Sequence, residues 1–363
     1  MKQLMTASHS AAQPVAGSQP LSEADELPPD GLPLDAEDEP EERRRRKLLL
    51  LLLLLGAFIL LLGLAVWYLL FRQPIPIPTI PGETVMPGYV TSIYGASRPM
   101  SVSVTADGER IYIGETSGDQ TARLFDAGGN QVAALLPPVS TGGDHVPIYV
   151  AVSPISGEVY VSDRPTSTIY IYDADGTYLR SFAPPADAGA WQPLSVSFDA
   201  AGNLFVTDIG ALPQRVREFD PTGRQIRVFG QDAGLNFPNG VAIDDAGYAY
   251  VTDSNNGRLL VFAQDGSVVA TVGRGTGTGN LGLPRGVAID GQGRVYVVDT
   301  SGQGVFVYGR YVEGATALEF LGSFGSQGVA NGAFSYPNGI SVDGRGRLYI
   351  ADSGNNRVQL WSY

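Results

Sequence analysis

The chain has 363 residues, 44% of them hydrophobic, with 46 glycines, 17 tyrosines and a net charge of −13. It has no cysteine, which excludes disulfides, thiolate metal sites and thiol nucleophiles, and only two histidines, His9 and His145, too few for a multi-imidazole zinc centre. From residue 74 onward the charges are 27 acids and 17 arginines with no lysine, a balance opposed to holding nucleic-acid phosphates.

Residues 1–47 open the chain as a Pro-, Ser- and acid-rich segment that closes on the basic run Arg43, Arg44, Arg45, Arg46 and Lys47. Without apolar periodicity it cannot bury enough surface to order itself, so it reads as a disordered acidic tail with a basic stop. Residues 48–71, beginning at Leu48 and closing on Phe71, carry no charge. As a helix they would extend about 36 Å, against a hydrocarbon core of about 30 Å. The run is too long for the core of a cleaved signal peptide, and no small-residue cleavage site follows it. The basic cluster on its N-terminal flank places the tail in the cytoplasm and the rest outside, in a single pass of the cell membrane. Trp67 and Tyr68 suit an interfacial aromatic belt. Pro74, Pro76, Pro78, Pro81 and Pro87 then make residues 72–87 a semi-rigid stalk.

From residue 88 to 363 one phrase recurs six times. Anchor prolines stand at 99, 147, 193, 238, 284 and 337, a spacing that suits propeller blades of four strands. Each is followed by an apolar strand with Ser or Ala at its centre: Ser103, Ala151, Ser197, Ala242, Ala288 and Ser341. Small residues there fit the taper toward a central axis. Turn glycines follow at 108, 157, 202, 247, 293 and 346, then a second strand with one aromatic wedge: Tyr112, Tyr160, Phe205, Tyr250, Tyr296 or Tyr349. Residues 89–94 have the pattern of a fourth strand, and the last copy lacks one. The expectation is an all-β, six-bladed propeller whose last blade is completed by residues 89–94.

The phrases Pro238-Asn-Gly-Val-Ala-Ile-Asp244 with Tyr250-Val-Thr-Asp253, and Pro337-Asn-Gly-Ile-Ser-Val-Asp343 with Tyr349-Ile-Ala-Asp352, resemble the NHL repeat family of β-propellers. The resemblance covers about 88–363 and is loosest in the first two copies, where Glu115 replaces the acid and Arg164 with Pro165 interrupts the Asn-rich loop. It implies a six-bladed propeller in a family that spans interaction platforms, extracellular sensors and some metal-dependent lyases and hydrolases. Family membership alone therefore does not choose a function. The lyase branch surrounds zinc with several imidazoles, which this chain lacks.

The acids closing each second strand, Glu115, Asp163, Asp208, Asp253, Asp299 and Asp352, could form a carboxylate ring around a cation. Recurrence in every copy favours loop capping instead, with Arg258 and Arg357 as ion-pair partners of Asp253 and Asp352. Asp199, Asp244, Asp290 and Asp343, before the first turn, read the same way. Binding-face candidates lie where the copies disagree or where loops gather at the channel mouth: His145 with Asp144, Arg164, Trp191, Asn239, Arg285, Asn338, Asn255 and Asn355. The residues after each anchor proline, Met100, Ile148, Leu194, Asn239, Arg285 and Asn338, are expected at that mouth. Half are apolar and half polar, which suits a peptide or protein partner rather than proton transfer.

The resulting expectation is an extracytoplasmic binding or scaffolding module without evident catalysis and with no required cofactor. Its alternative is a calcium-dependent lactonase- or hydrolase-like enzyme, because calcium needs only carboxylate and carbonyl oxygens.

Overall fold

The computed structural model describes residues 41–71, 85–139, 144–275 and 277–363. The expected disordered tail up to residue 40 and the stalk from 72 to 84 lie outside the described residues. The chain divides into two units, Met1–Phe71 and Arg72–Tyr363.

Within the first unit a single helix spans Glu41–Phe71. It starts earlier than the apolar run, taking in the basic cluster, because Arg and Lys are good helix formers and Glu41 and Glu42 lie in its positively polarised first turn. By length and composition it can cross a membrane. Its leucines are apolar on every side rather than along one stripe, as a lipid-facing span requires.

The second unit is a ring of six four-stranded antiparallel sheets. Every inner strand begins at an anchor proline: Pro99–Val104, Pro147–Val152, Pro193–Phe198, Pro238–Ile243, Pro284–Ile289 and Pro337–Val342. Proline is tolerated there because a strand's first residue need not donate to the ladder. In each blade the pairing register shifts directly after it, a local bulge that re-aims the following side chains. The six turn glycines all take left-handed φ, as at Gly247 with φ 82°, where any larger residue would be strained.

The acid before that turn serves the turn. Asp244 Oδ1 accepts the N–H groups of Ala246 and Tyr248, and its Oδ2 accepts the hydroxyl of the wedge residue Tyr250 at 3.0 Å. Asp290 with Tyr296 and Asp343 with Tyr349 repeat the arrangement. Five of the six wedges are buried, and Tyr112, Tyr250 and Tyr296 have no exposed surface, while Tyr160 is half-buried.

Strand Gly88–Tyr94 pairs antiparallel with Arg357–Ser362, from Gly88 opposite Ser362 to Tyr94 opposite Arg357. It is the outer strand of the sixth blade, so residues 89–94 complete the ring as expected. Hydroxyls add stitches between blades. Thr300 Oγ1 donates to the Pro337 carbonyl at 2.6 Å, and Ser254 and Ser353 donate likewise to Pro284 and Pro99. Nearer the axis, Ser103 and Ser341 accept the backbone N–H of Val152 and Val104 in the next blade, each at 3.2 Å. The small central residue of the inner strand thus does more than fit a taper.

Candidate functional site: the mouth of the channel

The antiparallel order gives the ring two unlike faces. Connections from first to second and from third to fourth strands gather on one face, here called lower; the remaining connections gather on the upper face. The lower connections contain fourteen Asp or Glu against five Arg, while the upper ones contain four acids and three Arg. Almost all of the ring's net negative charge therefore sits on the lower face. On the upper face Arg98, Arg164 and Arg274 are exposed, and none has a carboxylate partner among the described residues. Leu212 is 86% exposed there and Tyr336 64%.

The acids closing the second strands are buried beneath that face and hold its loops. Asp208 accepts the N–H of Gln192, Asp253 that of Asn236, Asp299 those of Gly282 and Leu283, and Asp352 that of Ser335. The expected ion pairs Arg258–Asp253 and Arg357–Asp352 are present at 2.7 and 2.8 Å. Two further blades use arginines at other spacings: Arg123 with Glu115, and both Arg215 and Arg217 with Asp208. In the second blade the corresponding acid, Asp163, meets His145 instead, Nδ1 to Oδ2 at 3.0 Å. Asp163 also accepts the N–H of Val146. His145, a binding-face candidate from the sequence, is thereby tied into the loop-capping column. Asp144 beside it is exposed.

The six inner strands enclose an axial channel of about 290 Å³. Its lining mixes aliphatic side chains with serines, glycines, Pro154, Phe198 and Tyr149, presents more polar than apolar surface, and contains no carboxylate, imidazole or guanidinium. At the third position of the inner strand the copies have Ser101, Ser195, Gly240, Gly286 and Gly339, but the second blade has Tyr149. That side chain is 6% exposed, and its hydroxyl donates to Asn239 Oδ1, two blades away, at 3.4 Å. Burial raises the Tyr149 hydroxyl pKa well above the usual phenol range, and the positive charge of Arg285 opposes this rise.

Of the six residues expected at the mouth, Ile148, Leu194, Asn239 and Asn338 are buried, while Met100 and Arg285 keep partial exposure. The expected mixed ring is thus largely closed over. Asn239 Nδ2 donates to Phe237 O and Ser254 Oγ, and Asn338 Nδ2 donates to Tyr336 O and Ser353 Oγ. These bonds hold Phe237 and Tyr336, which precede anchor prolines with φ of 58° and 48°, a conformation costly for bulky residues. At the rim two buried polar atoms have no hydrogen-bond partner, Nε of Arg285 and Oδ1 of Asn338.

The other candidates are placed differently. Asn255 donates to Asn236 Oδ1 and Asn355 to Gly328 O and Asp352 Oδ2, so both brace loops. Trp191 lies edge-on to Phe182 and Phe219 with the Arg217 guanidinium 5.5 Å from its ring, as part of the packing at the third blade. Arg164 is exposed, its guanidinium 6.0 Å from the Phe237 ring, so a second-blade loop also reaches toward the fourth blade. Among the described residues no three His, Cys, Asp or Glu side chains converge as a metal site would require. Sequence reasoning missed Tyr149, although comparing the third inner-strand position across all six copies singles it out.

The NHL repeat profile matches residues 235–262 and 334–360, the fourth and sixth copies. The mouse (Mus musculus) protein "NHL repeat-containing protein 3" is 28% identical over a stretch covering 58% of this chain and 50% of that protein. The chain thus matches about half the length of this curated relative. Among solved structures, a streptogramin B lyase structure superposes with a TM-score of 0.54 at 12% identity, over 77% of this chain and 99% of the other. At that identity the likeness concerns the fold.

Proposed function

The chain belongs to the NHL-repeat β-propellers, and from that premise we propose that it is a single-pass membrane protein whose propeller acts outside the cell as a protein- or peptide-binding module. The observation that carries this reading is the contrast between the two faces. The lower face holds nearly all the negative charge, whereas the upper face carries three exposed arginines without carboxylate partners among the described residues, and exposed Leu212 and Tyr336. Arginine and aromatic anchors on a patch poor in acids are what a protein interface selects. The basic cluster at one end of the helix supports an N-in orientation.

A calcium-dependent hydrolase is the less supported reading, since no lining residue of the channel offers a carboxylate to hold the ion. Photo-crosslinkers placed at Leu212 and Tyr336 of the full chain in native membranes should capture a partner. The same probe at Ile155, on the lower face, should not. Equal capture at all three positions would sink the upper-face assignment. A shift of melting temperature between calcium and chelator would revive the enzyme reading. Protease applied outside intact cells should digest the propeller side of the chain and spare the tail; the reverse pattern would overturn the orientation.

A further inference from the structure

The axial channel has unlike ends. Toward its upper end lies the third position of each inner strand, and the residues there are buried in all six blades. Five of them, Ser101, Ser195, Gly240, Gly286 and Gly339, are too short to fill the axis, whereas the second blade has Tyr149. The Tyr149 hydroxyl meets Asn239 of the fourth blade, and the charge of Arg285 acts on it from the fifth blade, which stands opposite the second in a ring of six. One phenol ring thus reaches across the upper end of the channel. The lower end is open. Val152, Phe198, Ile243, Ile289 and Val342 are the last residues of their inner strands and line the channel there, and each keeps partial exposure, as do Ser197 and Ser341 one residue earlier.

Each inner strand is the terminal strand of its sheet, so one of its edges is unpaired toward the axis and offers alternating N–H and C=O groups. These edges and the serine hydroxyls give the lining its polar surface. No charged side chain lines the channel, so an ion entering it would lose water without gaining a partner. The acids of the lower face repel anions before they reach the opening. Alternating donors and acceptors suit an uncharged molecule that carries both, as a polyol does. At about 290 Å³ the space is at the small end of ligand sites, so the occupant is small.

We propose that the axial channel is a binding well for a small uncharged polyol, entered from the lower face and closed above by Tyr149. The well is separate from the upper face, and either assignment can fail without the other. The chain has no cysteine, so a thiol introduced by Ser197→Cys reports on the well alone. In the full chain in detergent micelles, the small neutral reagent methyl methanethiosulfonate should modify this thiol. Ile243→Trp, at the lower opening, should slow the reaction at least tenfold, and adding Tyr149→Gly should restore it through the upper end. Glycerol should protect the thiol saturably. Glycerate and serinol, which put a negative or a positive charge on the same carbon skeleton, should protect at least tenfold less.

Val132→Cys, exposed on an outer strand, is the reference thiol that none of these changes should affect. Thermal melting checks that each variant keeps the ring, and Ile289→Trp is the second way to narrow the opening. A thiol at position 197 that does not react would overturn the open well, and a rate left unchanged by both tryptophan substitutions would overturn entry from below. Protection by none of the three solutes, or equally by all, would overturn the polyol assignment, whatever partner is captured at Leu212.

Discussion

His145 bonds Asp163 through Nδ1 at 3.0 Å, filling in the second blade a role that arginine fills in the first, third, fourth and sixth. This makes the imidazole a brace for the loop entering its blade. His145→Ala should therefore lower stability by about 1–3 kcal/mol by leaving Asp163 short of a partner. His145→Asn, whose amide nitrogen can stand near the Nδ1 position, should recover much of the loss. Thermal melting of the two variants decides it, and equal destabilisation by both would remove the bracing role.

Asp208 has no exposed surface and is paired with Arg217, whose side chain is 1% exposed, at 2.7 Å. Arg217 also ties down the loop carbonyls of Ala188 and Ala190. Arg217→Ala should cost about 1–3 kcal/mol, because Asp208 loses its fully buried partner and keeps only the less buried Arg215 at 3.0 Å. Denaturant unfolding of Arg217→Ala with and without Asp208→Asn checks the cause. The double variant should be more stable than the sum of the single effects predicts.

Alkaline pH should open the ring. Burial raises the hydroxyl pKa of Tyr250, Tyr296 and Tyr349 above the ordinary phenol value of 10.0. A raised pKa in the folded state means that the unfolded chain ionises first. Stability is then fully present below about pH 10 and falls as pH climbs toward the folded values. Tyrosinate absorbance at 295 nm should rise in two stages, exposed residues first and the wedges together with unfolding. A single smooth titration with the fold intact would contradict the wedge assignment.

Ser353 donates to the Pro99 carbonyl across the seam where the last blade meets the first, and it also accepts Asn338 Nδ2. Ser353→Ala should lower stability by about 1–2 kcal/mol and loosen the rim. Removing residues 88–94 should lower the melting temperature much further, since it strips the sixth blade of its outer strand and exposes the edge of Arg357–Ser362. A melting temperature unchanged by that deletion would contradict closure by this strand.

Much of the fold was legible because each blade repeats a local requirement. Proline opens a strand, glycine supplies the left-handed turn, an aromatic wedges neighbouring sheets and an acid caps a loop. The pairings Arg258–Asp253 and Arg357–Asp352 were readable for the same reason, being the same five residues apart. Arg123, Arg215 and Arg217 escaped because they reach their acids from other positions, where no shared spacing marks them. The mouth was harder to read. Asn239 and Asn338 look like ligand-binding side chains in the sequence, yet they hold the strained residues Phe237 and Tyr336. Tyr149 was overlooked because its neighbours in the phrase obey the pattern, and only its reach to Asn239 shows what its departure does. The contrast of faces needed the strand order, since it arises from connections scattered along the whole ring.

Strand Gly88–Tyr94 meets a partner made roughly 260 residues later, a loop whose closure is entropically costly. At about 5–20 residues per second of synthesis, that interval lasts roughly 13–50 s. During it the ring is an open arc: the first blade has no neighbour on one side, and an outer strand waits with its hydrogen-bonding edge bare. Folding of this propeller is therefore timed by its final blade, and the nascent chain must be kept from pairing with a second copy until that blade arrives.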